Sequence, residues 1–262
     1  MTPKLFNRSL LAAGAIALIA LGVAVAQPGS KPFEPTVGQA GKDVVWVPTP
    51  QALVDRMLDM AKVTPKDILV DLGSGDGRTV ITATKRGVNA RGIEFNPDMV
   101  ALSRRNAAAQ GAPKAQFVQG DIFQTNFSDA TVVTMFLLPS LNLRLRPQLL
   151  DMRPGTRLVS NTFDMGDWTP DQEISASGDC TSYCRAMLWI VPAKVGGTWK
   201  MANGNLVLEQ KYQMLTGTLN GQAISDAKMN GSAITFTAGG RTYTGTVTGN
   251  SMKGNGWSAT KA

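Results

Sequence analysis

Two rhythms of apolar and polar positions run along this chain, and one gives way to the other near residue 192. In the first part, apolar runs alternate with segments of helical period. Leu53, Met57, Met60 and Ala61 recur at helical spacing behind Pro50, which suits a helix start, and Pro65 breaks the pattern. Residues 67–70 read as a buried strand, and the segment from Thr79 as a helix that Gly87 terminates. A second strand ends in Glu94; Asn96 as N-cap and Pro97 in the first turn then open a helix running to Gly111. A third strand over 115–119 leads into Gly120-Asp121-Ile122. Residues 130–137 are continuously apolar, as in a strand covered on both faces. A helix over 140–150, a turn at Pro154-Gly155, a strand over 157–160, an irregular stretch over 161–177 and a strand over 185–191 complete the series. Repeated strand–helix units predict an α/β fold, a doubly wound and mainly parallel sheet with helices on both faces. The last strand has no helix before it, so it is expected to pair antiparallel.

After Pro192-Ala193-Lys194 no helical period is left. Short strands are divided by Asn203-Gly204, Asn220-Gly221, Asn230-Gly231, Gly239-Gly240 and Gly249-Asn250, pairs that supply the positive φ of hairpin turns. Residues 195–262 are expected to form a small antiparallel β-domain, a half-barrel or a sandwich. Trp199 and Trp257, near its two ends, read as packing residues, with ligand-binding aromatics as the alternative.

The N-terminus has the pattern of an export signal. Lys4 and Arg8 precede an uncharged apolar run from Leu10 to Val23, and Ala24-Val25-Ala26 fits a small-x-small cleavage site. Cleavage after Ala26 is expected, with an uncleaved anchor as the alternative and the only expected membrane contact. Either places the remainder outside the cytoplasm, in the periplasm or cell envelope. The expected organisation is a signal peptide over 1–26, a linker over 27–43, the α/β domain over 44–193 and the β-domain over 195–262. Loss of the two signal cations takes the formal net charge from +7 to +5, with no dense basic block, so nucleic-acid binding is not expected. Two cysteines, Cys180 and Cys184, stand four residues apart in a chain with no histidine. An oxidising compartment permits a disulfide between them; two free thiols are the alternative. No metal site is expected, since two thiols do not supply four ligands, and catalysis through imidazole is excluded.

The candidate chemistry centres on Asp71-Leu72-Gly73-Ser74-Gly75-Asp76-Gly77-Arg78. A strand, a glycine turn and a helix start make a ligand site, because glycine backbone turns tightly and helix N–H groups are free. The spacing is neither the dinucleotide fingerprint, since Arg78 stands where glycine is needed, nor a P-loop. An acid at the strand end suits a positively charged group. With Glu94 and Asp121 at the next two strand ends, the stretch resembles motif I of class I S-adenosylmethionine-dependent methyltransferases. A narrower resemblance covers about residues 44–175. Val47-Pro48-Thr49-Pro50, the glycine turn, Phe136-Leu137-Leu138-Pro139 and Asp167-Trp168-Thr169-Pro170-Asp171 follow one another as in seven-strand protein lysine methyltransferases, a group that includes the ATP-synthase c-subunit lysine methyltransferases.

That resemblance implies a seven-strand Rossmann-like sheet and S-adenosyl-L-methionine as cofactor. It implies that Asp71 holds the cofactor's amino group, Glu94 its ribose hydroxyls and Asp121 its adenine. Gly73, Ser74, Gly75, Gly77, Asn96 and Ile122 join this set, and Thr49 lies over the methionine part unless it is a helix cap. Phe136 to Pro139 are implied to line the transfer site. Asp164, Asp167 or water would take the acceptor's proton, and Asn161 and Trp168 are further pocket candidates. The acceptor implied is a protein lysine, with a small molecule as runner-up. Export of a chain whose cofactor is made in the cytoplasm leaves a second reading, a non-catalytic envelope binding module on the same fold. A nicotinamide oxidoreductase is the third, disfavoured by Arg78.

Overall fold

The computed structural model describes Met1 and residues 32–176 and 180–262. The expected signal peptide lies almost wholly outside the described residues. Residues 33–262 form one compact unit.

The chain enters through an irregular segment, joined by a single antiparallel bridge between Ala40 and Val45. Helix α1 (Gln51–Met60) follows, with Pro50 at its N-cap and Leu53, Val54, Met57 and Leu58 buried. Six further elements build the first half of a sheet: β1 (Ile68–Leu72), α2 (Arg78–Lys85), β2 (Asn89–Glu94), α3 (Pro97–Ala109), β3 (Gln116–Gln119) and β4 (Val132–Met135). Helix α4 (Pro139–Leu150), β5 (Arg157–Asn161), β6 (Gln172–Ser175) and β7 (Arg185–Ile190) complete it. The seven strands lie in the order β3-β2-β1-β4-β5-β7-β6. The central pairings are parallel and β7 runs antiparallel to both neighbours. Strand order reverses between β1 and β4, so the chain leaves these strands in opposite directions and opens a crevice beyond their carboxyl ends.

Two apolar clusters sandwich the sheet. One joins it to α1, α2 and α3 through residues such as Leu58, Ile81 and Val100. The other holds α4 together with Phe127, Met165, Trp168 and Trp189. The stretch expected to be irregular contains β6. Its Gln172-Glu173-Ile174-Ser175 has one apolar residue, which is why periodicity missed it; a short polar edge strand also resists pairing with other chains.

The second sheet comprises β8 (Gly197–Met201), β9 (Gly204–Lys211), β10 (Met214–Leu219), β11 (Gln222–Ala223), β12 (Ser225–Asn230), β13 (Ala233–Ala238), β14 (Arg241–Thr248), β15 (Ser251–Gly254) and β16 (Trp257–Lys261). All five expected turn pairs fall at junctions between consecutive strands, with Gly204 opening β9 and Asn230 closing β12. The half-barrel and sandwich expectations are corrected: β9 pairs with β10 and β16 returns to β8, closing a barrel of eight antiparallel strands with β11 appended. Closure removes free edges, which open arrangements would leave unpaired. Trp199, Phe236 and Met252 are fully buried inside it, and Trp257 packs edge-on against Phe236 and Tyr243. Both tryptophans are packing residues.

The barrel is joined to the first sheet by more than its linker. The β9–β10 turn places Gln213 against Trp168, which is fully buried; the indole Nε1 donates to Gln213 Oε1 at 2.9 Å, and Gln213 Nε2 donates to the Thr169 carbonyl at 2.8 Å. Trp168 also stacks on Tyr212, centroids 5.6 Å apart, and its carbonyl accepts from Trp189 Nε1. Gln213→Ala strands a buried indole N–H, so it is expected to lower stability by about 1–3 kcal/mol, read as an earlier urea midpoint of the whole chain.

Candidate functional site

Beyond the carboxyl ends of β1, β2 and β4 lies a cavity of about 450 Å³. Its floor is the glycine turn. Gly73 and Gly75 have φ of +74° and +54°, and a Cβ on Gly75 would come within 2.8 Å of the Trp46 indole nitrogen. The turn is braced from outside. Asp76 accepts from the Arg78 guanidinium through Nε at 3.0 Å and Nη2 at 2.6 Å, and Arg78 Nη1 donates to the Thr49 carbonyl at 2.8 Å. From α3, Ser103 Oγ donates to the Gly75 carbonyl at 2.8 Å and Asn106 Nδ2 to that of Asp76 at 3.0 Å.

Among the acids that line this cavity, three stand at or just after the ends of β1, β2 and β3. Asp71, at the end of β1, is buried; its Oδ1 accepts from the Thr134 hydroxyl at 2.6 Å. Burial, reinforced by the nearby charges of Asp76 and Glu94, pushes its carboxyl up to about 7 despite the Thr134 hydrogen bond. Glu94 ends β2 and accepts from the backbone N–H of Gly75 at 3.0 Å and of Asn96 at 2.9 Å, which fixes its orientation. Asp121 follows β3, accepts from the Phe123 N–H at 2.9 Å and pairs with Lys42 at 2.7 Å. The Lys42 and Phe123 hydrogen bonds hold the Asp121 carboxyl below its usual range.

Thr49, Ser74, Asn96, Ile122 and Phe136 line the same cavity. Asn96 also accepts from the Asp98 N–H at 2.9 Å as the N-cap of α3. Thr49 is not a helix cap: Pro50 occupies that position, and the Thr49 hydroxyl accepts from Asn161 Nδ2 at 3.2 Å. Asn161 is therefore a support for Thr49.

Five expectations are corrected. Gly77 does not line the cavity; it is the N-cap of α2 with φ +84°, and a Cβ there would lie 2.7 Å from the Phe117 ring. Its role is close packing of the turn on its own sheet. Pro139 begins α4 and is exposed, while its neighbours Leu137 and Leu141 line the cavity. Asp164 is exposed and accepts from the Gly166 N–H at 3.0 Å, outside the cavity lining. Trp168 is the buried interdomain residue described above, and its neighbour Asp167 is tied to Tyr212, Lys211 and Arg146, whose hydrogen bonds push its carboxyl well below the usual range. Neither loop acid is placed as a base.

Sequence patterns missed the roof. Residues 39–47, at the seam of the expected linker, lie across the cavity, and Lys42 sits over the Phe95 ring at 4.7 Å. The prolines that follow, Pro48 and Pro50, mark an irregular segment and carry no sign of a ligand site. Among the described residues no group of three His, Cys, Asp or Glu is placed to hold a metal ion.

The cradle fits an adenosyl amino acid in its chemistry: a buried acid for an ammonium group, an oriented carboxylate for paired hydroxyls, and glycine backbone for close approach. Residues 71–172 match the family model described as ANTKMT methyltransferase domain. A protein-lysine N-methyltransferase of Saccharolobus islandicus (strain REY15A) is 44% identical over 135 residues, covering 50% of this chain and 84% of that protein. The chain is a class I S-adenosylmethionine-dependent methyltransferase. An RNA methyltransferase from Salinibacter ruber, solved in complex with S-adenosyl-L-homocysteine, shares 47% identity at a TM-score of 0.53, covering 57% of this chain and 96% of that one. An adenine nucleotide translocase lysine N-methyltransferase of Mus musculus is 30% identical over 154 residues, covering 53% of this chain and 67% of that protein. This methyltransferase takes S-adenosyl-L-methionine as its cofactor, and Asp71, Glu94 and Asp121 are the residues whose chemistry suits its ammonium, ribose and adenine.

Two outcomes follow for cofactor binding. Glu94→Ala is expected to weaken S-adenosylhomocysteine binding roughly 10- to 100-fold by calorimetry, the loss of charge-assisted hydrogen bonds. Asp71 keeps its proton up to about pH 7 in the free chain, whereas an ammonium beside it favours the carboxylate. Binding therefore releases a proton below that pH, and affinity is expected to climb from pH 5.5 and level off above 7. Asp71→Asn should flatten the profile, and calorimetry in buffers of different protonation enthalpy counts the proton.

Proposed function

We propose that this methyltransferase methylates the side-chain amine of a protein lysine in an exported compartment. One observation carries the acceptor side. Phe136 lines both the cofactor cavity and a second cavity of about 420 Å³, which gives an acceptor a place beside the methyl donor. The curated relatives named as lysine methyltransferases favour an amine as the group that enters it.

When bound, S-adenosylmethionine supplies a methyl group on a sulfonium centre open to in-line attack. The chain's own contribution is to orient and to exclude water. Asp71 and Asp121 suit the two ends of the donor, and Glu94 the ribose between them. Residues 39–47 and Phe136 wall the site off. An amine needs no activation beyond loss of its proton, which suits a chain with no histidine, and solvent takes that proton. Two features support export: the charged, apolar and small-residue succession of residues 1–26, and the closed Cys180–Cys184 bridge, which an oxidising compartment maintains.

The test is incubation of the purified chain with methyl-labelled S-adenosylmethionine and cell-envelope extract, followed by hydrolysis. Label in methylated lysine, lost with Glu94→Ala, is the expected result. Label in RNA or in small molecules would overturn the acceptor class. Export is tested separately by the intact mass of the chain recovered from the envelope, expected to begin at Gln27.

A further inference from the structure

Three aromatic rings from three separate segments meet in the second cavity. Phe136, just after β4, stacks on Phe163, after β5, with centroids 5.9 Å apart and planes at 20°. Tyr183, just before β7, meets Phe136 edge-on at 5.1 Å and Phe163 at 6.2 Å. The opposite wall is the segment over 40–45 with Val47, and the cavity's charged lining residues are Lys42 and Asp43. Lys42 is engaged by Asp121 at 2.7 Å and stands 3.8 Å from Asp43. Asp43 thus offers a carboxylate to an incoming group, and it lines the cofactor cavity as well.

Such a lining selects by charge. Aromatic faces attract an alkylammonium group and give no comparable gain to a neutral hydroxyl. An anion would be opposed by both the rings and Asp43. A methylated amine product keeps the positive charge, so the same walls suit the acceptor before and after transfer.

Tyr183 is held in an unusual way. Its φ is +56°, in the left-handed region that non-glycine residues seldom occupy, and its side chain is 41% exposed. The residue sits inside a ring closed by the Cys180–Cys184 disulfide, Cα atoms 5.7 Å apart. At the far side of that ring, the Cys184 carbonyl accepts from the Ala176 N–H at 2.7 Å, and Arg185 Nη2 donates to the Thr162 carbonyl at 3.1 Å. Strain at a partly exposed position persists where covalent and hydrogen-bonded ties impose it.

We propose that Phe136, Phe163, Tyr183 and Asp43 form the acceptor subsite for an alkylammonium group, with the Cys180–Cys184 bridge as the positioning element that keeps the Tyr183 ring in place. This rests on the methyltransferase reading and extends it to Asp43 and Tyr183, which lie outside the matched segment 71–172.

The full chain is first saturated with S-adenosylhomocysteine, a step followed by calorimetry; failure there would count against the methyltransferase reading and not against the subsite. n-Butylammonium is then titrated, with 1-butanol as the neutral analogue, while the ¹³C-labelled tyrosine rings are observed by NMR. The Tyr183 signal is identified by its absence in Tyr183→Phe. A saturable shift with butylammonium, and roughly 10-fold weaker binding of butanol, is expected. Measured from the ligand's own resonances, Tyr183→Ala should weaken butylammonium binding about 5- to 10-fold, and Tyr183→Phe should restore it. Cys180→Ser with Cys184→Ser should match the alanine variant in the wild-type background and add nothing to it. Equal binding of the two probes would overturn the subsite. Unchanged binding without the bridge would overturn the positioning role.

Discussion

A carboxylate buried where the sheet reverses direction is the constraint on which the site depends. Asp71 stands at the end of the central strand, with Asp76 and Glu94 nearby, and its charge is disfavoured until a cation comes against it. The surroundings hold it there by ordinary means. Parallel pairing on both sides fixes β1, Thr134 on β4 donates to the carboxyl, and the glycine turn keeps the next residues close without side chains in the way. Glu94 then ties β2 to that turn by accepting the Gly75 N–H. A cationic ligand therefore finds both its counter-charge and its hydroxyl acceptor already oriented.

The same economy holds on the far side of the sheet. The β-barrel is a filled, closed body, yet it reaches into the α/β domain through Tyr212 and Gln213. The Asp167-Trp168 pair, which in sequence looks like part of a pocket, is taken up by this junction. Asp167 collects three hydrogen-bond donors, and Trp168 buries its ring and spends its one N–H on Gln213. The chemistry is left to the crevice at the other end.

The parts legible in the sequence are those where a single segment states its own role. The strand-end acids, the glycine turn, the Asn96 cap and the five barrel turns each depend on neighbours within a few residues. Closure of the barrel was not legible, because it depends on β9 meeting β10 and β16 meeting β8, pairings that no local pattern encodes. Of the second cavity's aromatic and acidic wall only Phe136 was expected, through the resemblance; Asp43, Phe163 and Tyr183 were hidden for the same reason, lying 140 residues apart at the extremes. Gly77 and Pro139 show the opposite error. Each sits within a motif, but φ and helix position turn one toward Phe117 and the other outward to solvent.

The roof over 39–47 has a consequence for how the closure of the cavity responds to salt. Its charged tie to the floor is the exposed Lys42–Asp121 pair, and exposed ion pairs contribute little to stability. Its downstream end is anchored much more firmly, where the Thr49 hydroxyl and carbonyl are both bonded in a buried setting. Between these ends Trp46 rests on the floor at Gly75, so the segment is held there by packing, and at Lys42 by charge. The charged part of that closure is the part that salt acts on: higher ionic strength screens the Lys42–Asp121 attraction and leaves the Trp46 packing and the Thr49 hydrogen bonds in place.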